Sequence, residues 1–372
     1  MLPISICMIA KNEEQHIEEC LSRLKPYYNE IVLVDTGSTD GTLAIAAKYT
    51  DKIYHFDWIN DFSAARNYSI AQATNDWILS IDCDEYLESI DSSMLLQLIN
   101  NHTSEVGQVL IRNRFSQNGQ AAIENIRLSR LFNRNYFHYE GSIHEQLERK
   151  SSSADGSLKC NNGMHSDMRS ALPIPAFIVP LTLLHVGYDG SEEEMRAKAF
   201  RNIALLEKEL EIKGEDAYIY YQLGQSCVRL KDYGKAYEWF NLGLSMDLDI
   251  TQGYVQNMVE AYGYCLLDMK RFDEALLLEG IYDDFAVRAD FVFLMGLIYM
   301  NNARFNDAIE EFKKAATMEQ FSVEGTNSYR ANYNIGVIYE CMGQINKARE
   351  YYIKCGSFEP AKQRLSYLEF ES

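Results

Sequence analysis

The sequence of 372 residues predicts an α/β domain of Rossmann-like architecture followed by an all-α solenoid. Up to about residue 135, short apolar runs alternate with stretches of helical periodicity, which favours a parallel sheet flanked by helices. From about residue 217 onward, glycine and alanine recur in a pattern that is typical of paired-helix repeats. We therefore expect an α/β domain over residues 1–190, a connecting helix over 191–216 and repeats over 217–372.

The elements of the first domain follow from the length and spacing of its apolar runs. Short apolar runs between polar turns predict buried strands, and apolar residues three and four apart predict helices. In chain order the predicted elements are a strand over 4–9, a helix over 13–24, a strand over 30–34, a helix over 41–48, a strand over 53–56, a helix over 63–73 and a strand over 77–81. Because the carboxyl ends of parallel strands meet at one edge of a sheet, functional residues are expected at that edge.

An acidic segment, Asp82-Cys83-Asp84-Glu85, follows the last of these strands. Side chains two residues apart in extended chain share a face, so Asp82 and Asp84 are expected on the same side. Two carboxylates this close repel each other unless a cation or a partner compensates. Mg²⁺ or Mn²⁺ bound by one or two carboxylates keeps positions open for phosphate oxygens. The pattern predicts a divalent cation site, and an acidic pair that merely ends the strand is the alternative.

The repeat region carries four glycines, each followed twelve residues later by an alanine: Gly224 and Ala236, Gly263 and Ala275, Gly296 and Ala308, Gly336 and Ala348. Small residues let two helices approach closely where they cross, and the intervals lie near the ~34-residue period of a tetratricopeptide repeat. Extra residues fall between units, around 247–252 and 321–328, where loops tolerate insertion. The pattern predicts about four tetratricopeptide-like repeats.

One polar segment lies inside the first predicted domain, and a second begins the connecting helix. Residues 151–172 are rich in serine and other small residues, which predicts a mobile loop. Ser191 precedes three glutamates, a pattern that is typical of a helix N-terminus. We therefore expect the connecting helix to begin at this serine.

Composition restricts the classes of function. The formal net charge of −19 argues against a nucleic-acid partner, because binding a phosphate backbone requires a basic face. No apolar run reaches the roughly 18–20 residues that cross a bilayer, and the N-terminal apolar run lacks the basic start of a signal peptide. The eight cysteines show no Cys-x-x-Cys spacing, as expected for reduced thiols. These features predict a cytoplasmic protein.

Four segments in the first domain resemble motifs of the family-2 glycosyltransferases, which have the GT-A fold. They are Ile6-Cys-Met-Ile-Ala-Lys-Asn-Glu-Glu14, Glu30-Ile-Val-Leu-Val-Asp-Thr-Gly-Ser-Thr-Asp-Gly-Thr42, Asp61-Phe-Ser-Ala-Ala-Arg-Asn67 and Asp82-Cys-Asp-Glu85. The resemblance covers residues 1 to about 190. Together with the repeats, it is similar in particular to a subgroup that includes S-glycosyltransferases of bacteriocin peptides of the sublancin type.

The resemblance implies roles for individual residues. It assigns eight residues to the nucleotide-sugar: Ile9, Lys11, Asn12, Glu13, Asp35, Arg66, Asp82 and Cys83. Asp35 would accept a hydrogen bond from the uracil ring, with a turn-forming aspartate as the alternative. Arg66 would meet the diphosphate or Asp82, or form a plain structural ion pair. Asp82 would contact the ribose or a metal-bound water.

The same resemblance implies metal ligands and a catalytic base. Asp84 would bind Mg²⁺ or Mn²⁺, and His185 would complete the metal shell, although a lone histidine in an apolar strand is more often a core residue. Transfer with inversion at the anomeric carbon requires a base on the face opposite the leaving nucleotide. Glu145 is the expected base and His144 its rival, while a cap or salt-bridge role for Glu145 is the alternative.

The predicted partners are a UDP-sugar donor and a peptide or protein acceptor, such as a cysteine or serine of a bacteriocin peptide. A cysteine would ask less of a base, because a thiol with a pKa near 8.5 is already partly ionised. The repeats would hold the acceptor through exposed tyrosines, or bind a second copy in a homodimer. Two other functions are open: transfer to a cell-wall or capsular saccharide, and a scaffold without catalysis.

Overall fold

The computed structural model describes residues 1–117, 120–150, 174–187 and 192–370. The polar stretch 151–172 and Ser191 lie outside the described residues. The chain divides into two compact units, one formed by residues 1–116 and 126–189, the other by residues 117–125 and 190–372. The helix expected as a connector therefore groups with the second unit, and so does the short segment 117–125.

Within the described residues, ten strands lie wholly or largely in the first unit. These are β1 (Leu2–Ala10), β2 (Tyr28–Asp35), β3 (Ile53–His55), β4 (Trp77–Ser80), β5 (Glu85–Ile90), β6 (Val106–Gln117), β7 (Gln120–Asn133), β8 (Phe137–Glu140), β9 (Gln146–Arg149) and β10 (Ala176–His185). Eight of them form one sheet in the order β3-β2-β1-β4-β7-β6-β10-β5, and β8 pairs with β9.

The predicted parallel sheet is confirmed for the first four strands. β1 pairs in parallel with both β2 and β4, and β2 pairs in parallel with β3. The remainder of the sheet is mixed, because β4 pairs antiparallel with β7 and β10 pairs antiparallel with β5. The sequence did not predict this part, in which β6 and β7 follow each other without the crossover helix of a parallel sheet.

The described part of the first unit contains four helices: α1 (Ile17–Leu24), α2 (Thr42–Ala46), α3 (Phe62–Gln72) and α4 (Ser92–Asn101). The apolar spacing of α1 places its four buried residues, Ile17, Cys20, Leu21 and Leu24, against the sheet core. Asp61 caps α3 by accepting a hydrogen bond from the backbone N–H of Ala64. The core therefore fixes the strands, and a capped helix follows β3 beside the carboxyl edge of the sheet.

The pairing of β5 with β10 brings two predicted metal ligands together. His185 lies opposite Glu85, the residue after Asp84. The register shifts between Thr182 and Leu183, because Glu88 is an extra residue in β5 at this point. From the bulge to His185 the pairing is one to one, so the ladder sets which residue faces the acidic segment.

The second unit is helical. Its α-helices are α5 (Glu192–Lys213), α6 (Ala217–Arg229), α7 (Tyr233–Leu244), α8 (Gly253–Asp268), α9 (Phe272–Ala275), α10 (Tyr282–Phe285), α11 (Ala289–Asn301), α12 (Phe305–Ala315), α13 (Tyr329–Cys341), α14 (Ile345–Lys354) and α15 (Glu359–Phe370). A 3₁₀ helix over Leu276–Ile281 joins α9 to α10. In the described part of the chain, none of the helices combines the length and apolar character that a bilayer span requires.

The repeat glycines lie where paired helices touch. A Cβ on Gly224 would lie 2.2 Å from Phe240, one on Gly296 would lie 2.7 Å from Phe312, and one on Gly336 would lie 2.5 Å from Tyr352. In each of these three pairs the facing aromatic follows the glycine by sixteen residues. The corresponding position after Gly263 is a glutamate, and this glycine faces leucines instead. In this pair the second helix is short: α9 gives way to the 3₁₀ helix after Ala275.

Candidate active site

The candidate site lies at the carboxyl edge of the first four strands. From β1 the chain moves to β2 and β3 on one side, then returns to β4 on the other side of β1. Ligands of open α/β sheets bind at such a reversal of strand order. The segments that leave this edge are residues 11–14 after β1, Asp35 at the end of β2, and residues 81–84 after β4.

The loop after β1 is bonded to the loop after β2. The backbone N–H of Asn12 donates to Ser38 Oγ at 3.0 Å, and that of Glu13 donates to Thr42 Oγ1 at 2.7 Å. Asn12 has φ of 58°, a left-handed conformation that asparagine tolerates. Lys11 is exposed at the start of this loop and Ile9 is half-buried before it. These contacts hold the loop in place beside the sheet edge.

Asp35 caps a turn at the end of β2. Its carboxylate accepts hydrogen bonds from the backbone N–H of Gly37 at 3.1 Å and of Ser38 at 3.0 Å. Burial raises the pKa of Asp35, but the bonds from Ser38 and Gly37 outweigh it and hold the pKa below its ordinary value. The turn-forming alternative is thus the geometry that the structure shows, and contact with a uracil ring stays a prediction.

Arg66, on α3, joins two of the predicted site carboxylates. Its guanidinium donates to Asp82 Oδ1 at 2.7 Å, to Ser80 Oγ at 3.1 Å and, through Nε, to Glu145. Only 8% of its side chain is exposed. The guanidinium group of Arg66 is therefore directed at Asp82, as one of its expected roles required, and at Glu145. A direct bond from Arg66 to a diphosphate stays a prediction.

Arg130 also holds Asp82, a contact that the sequence did not predict. It reaches Asp82 Oδ2 at 3.0 Å and Glu85 Oε1 at 2.8 Å from β7. Burial raises the pKa of Asp82, but the two guanidinium groups outweigh it and lower the pKa well below the ordinary range. Burial, with Asp82 nearby, raises the pKa of Glu85. Asp82 is thus an ionised, doubly anchored carboxylate.

Asp84 and His185 face each other beside this network. His185 Nε2 lies 3.4 Å from Asp84 Oδ2, and His185 Nδ1 lies 2.8 Å from Asn113 Oδ1. In the neutral tautomer with its proton on Nδ1, Nδ1 donates to the amide oxygen and Nε2 is left as the acceptor nitrogen on the side of Asp84, which is the arrangement of a metal-bound histidine with its supporting partner. Across the described residues no group of three or more metal-binding side chains occurs.

Asp84 and His185 suit Mn²⁺ or Mg²⁺ in a partly open site better than a metal ion that is fully enclosed by protein ligands. One carboxylate and one imidazole leave most coordination positions to other ligands, as in sites that bind a cation together with substrate phosphates. Cys83 lies between the aspartates but is buried, and its Sγ is 3.6 Å from the carbonyl oxygen of Ile9. Burial raises the pKa of the Cys83 thiol well above its ordinary value, which argues against a thiolate ligand.

The candidate bases follow the β8 strand. Gly141 and His144 have positive φ values of 101° and 51°, so the chain turns sharply between β8 and β9. Glu145 is largely buried, with 11% of its side chain exposed, and is held by Arg66. Glu145 thus forms a salt bridge with Arg66, which is the alternative role expected for it, and its action as a base stays a prediction.

The tyrosines expected to be exposed in the repeats are half-buried instead. The rings of Tyr218 and Tyr254 lie 5.3 Å apart, and those of Tyr221 and Tyr254 lie 6.0 Å apart. Tyr220 is fully buried and stacks on Trp239. The expectation of exposure is wrong because the rings pack between neighbouring helices, where aromatic pairs stabilise the stack.

The fold and the site define a Rossmann-like α/β domain with an acidic, arginine-supported edge, joined to a helical repeat unit. Residues 5–149 match the family described as Glycosyl transferase family 2. Residues 217–250, 289–321 and 329–362 match the tetratricopeptide repeat, and the irregular second helix pair falls between the first two of these ranges. The chain carries a family 2 glycosyltransferase domain followed by tetratricopeptide repeats, which confirms the predicted fold class and family.

Three curated proteins are similar to parts of this chain. A TPR repeat-containing protein of Synechococcus elongatus is 35% identical over 66% of this chain and 57% of its own length. The SPbeta prophage-derived glycosyltransferase SunS of Bacillus subtilis is 29% identical over 57% of this chain and 46% of its own length. The lipopolysaccharide core biosynthesis glycosyltransferase LpsC of Rhizobium meliloti is 30% identical over 34% of this chain and 48% of its own length. The chain spans about half the length of the curated relatives it matches.

Among solved structures, that of MamA aligns with a TM-score of 0.38 at 21% identity, covering 47% of this chain and 98% of its own.

Proposed function

We propose that this protein transfers a hexose from a UDP-sugar to a peptide or protein acceptor, with inversion at the anomeric carbon and with Mg²⁺ or Mn²⁺. The observation that carries the proposal is the Asp84–His185 pair beside an anchored Asp82 at the carboxyl edge of a family 2 domain. A carboxylate and an imidazole with an orienting amide suit a cation that binds together with a diphosphate.

Asp84 and His185 would hold the cation, and the chemistry that it supplies when bound is neutralisation of charge on the departing UDP. Asp82 is fixed by two guanidinium groups, so its oxygens are oriented for a ribose hydroxyl or a water at the same edge. The loop after β1, with Lys11, Asn12 and Glu13, would line the base and ribose. Of the two aspartates, Asp84 would therefore be the one that contacts the cation.

Glu145 is the proposed base, and His144 remains its rival. A carboxylate held by Arg66 keeps a fixed position, which general-base catalysis requires. Glu145→Gln keeps the shape and can still accept a bond from Arg66, but it cannot accept a proton. We expect kcat to fall by about 10²–10⁴-fold with donor affinity retained.

The test for the base compares Glu145→Gln with His144→Ala in a transfer assay with a hydroxyl acceptor. Loss of kcat in Glu145→Gln and retention in His144→Ala supports the assignment. The reverse pattern assigns the base to His144 instead.

The test for the cation is titration calorimetry of UDP with and without Mn²⁺. We expect Mn²⁺ to increase UDP affinity in the wild-type protein and to have no such effect in Asp84→Ala, while thermal unfolding in chelator stays nearly unchanged. An Asp84→Ala protein that transfers sugar at the wild-type rate would exclude the metal assignment. A protein that binds neither UDP nor Mn²⁺ would be the scaffold considered from the sequence.

The acceptor is proposed to be a cysteine or serine side chain of a peptide such as a bacteriocin, which the resemblance to S-glycosyltransferases of the sublancin type implies. The 29% identity to the glycosyltransferase SunS over 57% of this chain supports it. A second candidate is a saccharide acceptor, favoured by the match to LpsC, whose name places it in lipopolysaccharide core biosynthesis. Mass spectrometry of peptide and saccharide acceptors after incubation with UDP-hexose separates the two.

A further inference from the structure

Gly187, two residues after His185, lies buried against the two proposed cation ligands. A Cβ at this position would lie 2.1 Å from Asp84 Oδ2 and 2.6 Å from His185 Nε2. Both distances are under 3.0 Å, a limit that real Cβ contacts essentially never cross. The clash therefore involves the same two atoms that face each other at 3.4 Å.

The backbone does not explain why this residue is glycine. Gly187 is not among the glycines with positive φ, so an alanine meets no conformational penalty there. Gly37 shows the opposite situation, with φ of 106° and no atom within 4 Å of its Cβ position. At Gly187 the requirement is for space, and the space adjoins Asp84 and His185.

The clash can be relieved only by moving one of the two side chains. Asn113 and the β10 ladder hold the His185 ring, and the backbone N–H of Val186 holds the backbone of Asp84 by donating to its carbonyl oxygen at 3.0 Å. A methyl group on residue 187 would therefore displace the carboxylate of Asp84, the imidazole of His185, or both. Either displacement changes the relative placement of the oxygen and the nitrogen.

We propose that Gly187 is a positioning residue of the cation site: its lack of a side chain lets Asp84 Oδ2 and His185 Nε2 converge on one cation. This inference rests on the proposed function, because it assumes that this pair binds the metal. It extends that function by assigning a residue that contributes no ligand atom. The sequence shows the glycine in His-Val-Gly-Tyr but gives no sign of what lies across from it.

The experiment measures Mn²⁺ binding directly, by electron paramagnetic resonance titration in the presence of UDP. The variants are wild type, Gly187→Ala and Gly280→Ala, the last being a glycine with no atom within 4 Å of its Cβ position. We expect Gly187→Ala to bind Mn²⁺ at least tenfold more weakly, in the range seen when groups that support metal ligands are altered. Gly280→Ala should bind as wild type does.

A second comparison separates positioning from misfolding. In a His185→Ala background the contact with the imidazole is gone and the Asp84 carboxylate can rotate into the vacated space, so Gly187→Ala should cost much less further Mn²⁺ affinity. An equal loss in both backgrounds, or wild-type affinity in Gly187→Ala, would overturn the inference alone. A wild-type protein that binds no Mn²⁺ with UDP would overturn the cation-dependent function, and this inference with it.

Discussion

Removal of Arg66 should destabilise the first unit mainly by isolating Glu145. Arg66 is the shared donor of Asp82 and Glu145, but Asp82 keeps Arg130 at 3.0 Å when Arg66 is lost. Glu145 is 11% exposed and would lose its arginine partner. Breaking a buried ion pair by removing one partner costs about 3–5 kcal/mol, because a charge is left buried without compensation. We expect a loss in this range for Arg66→Ala.

The magnitude can be assigned by a double-mutant cycle. Glu145→Gln removes the charge that Arg66→Ala would isolate, so the double variant should lose less than the sum of the single losses, with a coupling of about 1–3 kcal/mol. The assay is urea unfolding at neutral pH, monitored by fluorescence, on all four proteins. Arg127→Ala is the matched control, since Arg127 lies on the same strand as Arg130 but is exposed, and its loss should stay within about 0.5 kcal/mol.

Two results would refute this reasoning. Strictly additive losses in the cycle would show that Arg66 and Glu145 do not depend on each other. An Arg66→Ala variant as stable as Arg127→Ala would show that the network carries no net stabilisation.

Three further predictions concern stability. Burial raises the pKa of Glu30, but hydrogen bonds from Lys52, Ser5 and Thr74 outweigh it and lower the pKa to about 2. The ionised Glu30 therefore stabilises the fold above the ordinary carboxyl pKa, and this contribution is lost as the pH falls towards 2. Glu30→Gln should therefore cost roughly 2–3 kcal/mol in urea unfolding at pH 7 and little near pH 2; a pH-independent cost would contradict this. Gly224→Ala should cost about 1–3 kcal/mol by overpacking against the facing phenylalanine, whereas Gly280→Ala should be nearly neutral, and equal melting temperatures would count against the proposed helix crossing. The double variant Tyr221→Ala/Tyr254→Ala should lower the free energy of unfolding by about 2–4 kcal/mol, because the two rings pack together. A double variant as stable as the wild type would show that this packing contributes no stability.

The sequence predicted what depends on local pattern. The first four strands follow from apolar runs, and the acidic segment after β4 was placed at the edge of the sheet where it lies. The repeat glycines were likewise recognised, because their spacing reflects a contact within each helix pair.

The remaining features depend on long-range register, which a single sequence does not encode. Arg130 follows Asp82 by 48 residues and reaches it only because β7 pairs antiparallel with β4. Glu145 meets Arg66 through a turn that contains a non-glycine residue with positive φ. The exposure predicted for the repeat tyrosines is wrong because helical spacing does not show which face the next helix pair covers.

The bulge between β5 and β10 limits how chains of this type can change in length. Between Leu87 and Glu85 each residue pairs with one residue of β10, so a deletion there would move His185 by about 3.3 Å along the strand and turn the opposite face of the chain towards Asp84. On the other side of the bulge, an added residue in β5 would only enlarge the break in pairing at Glu88 and would leave the register of His185 unchanged. We expect homologous sequences to gain and lose residues on the far side of the bulge, and to keep the count constant between it and the acidic segment.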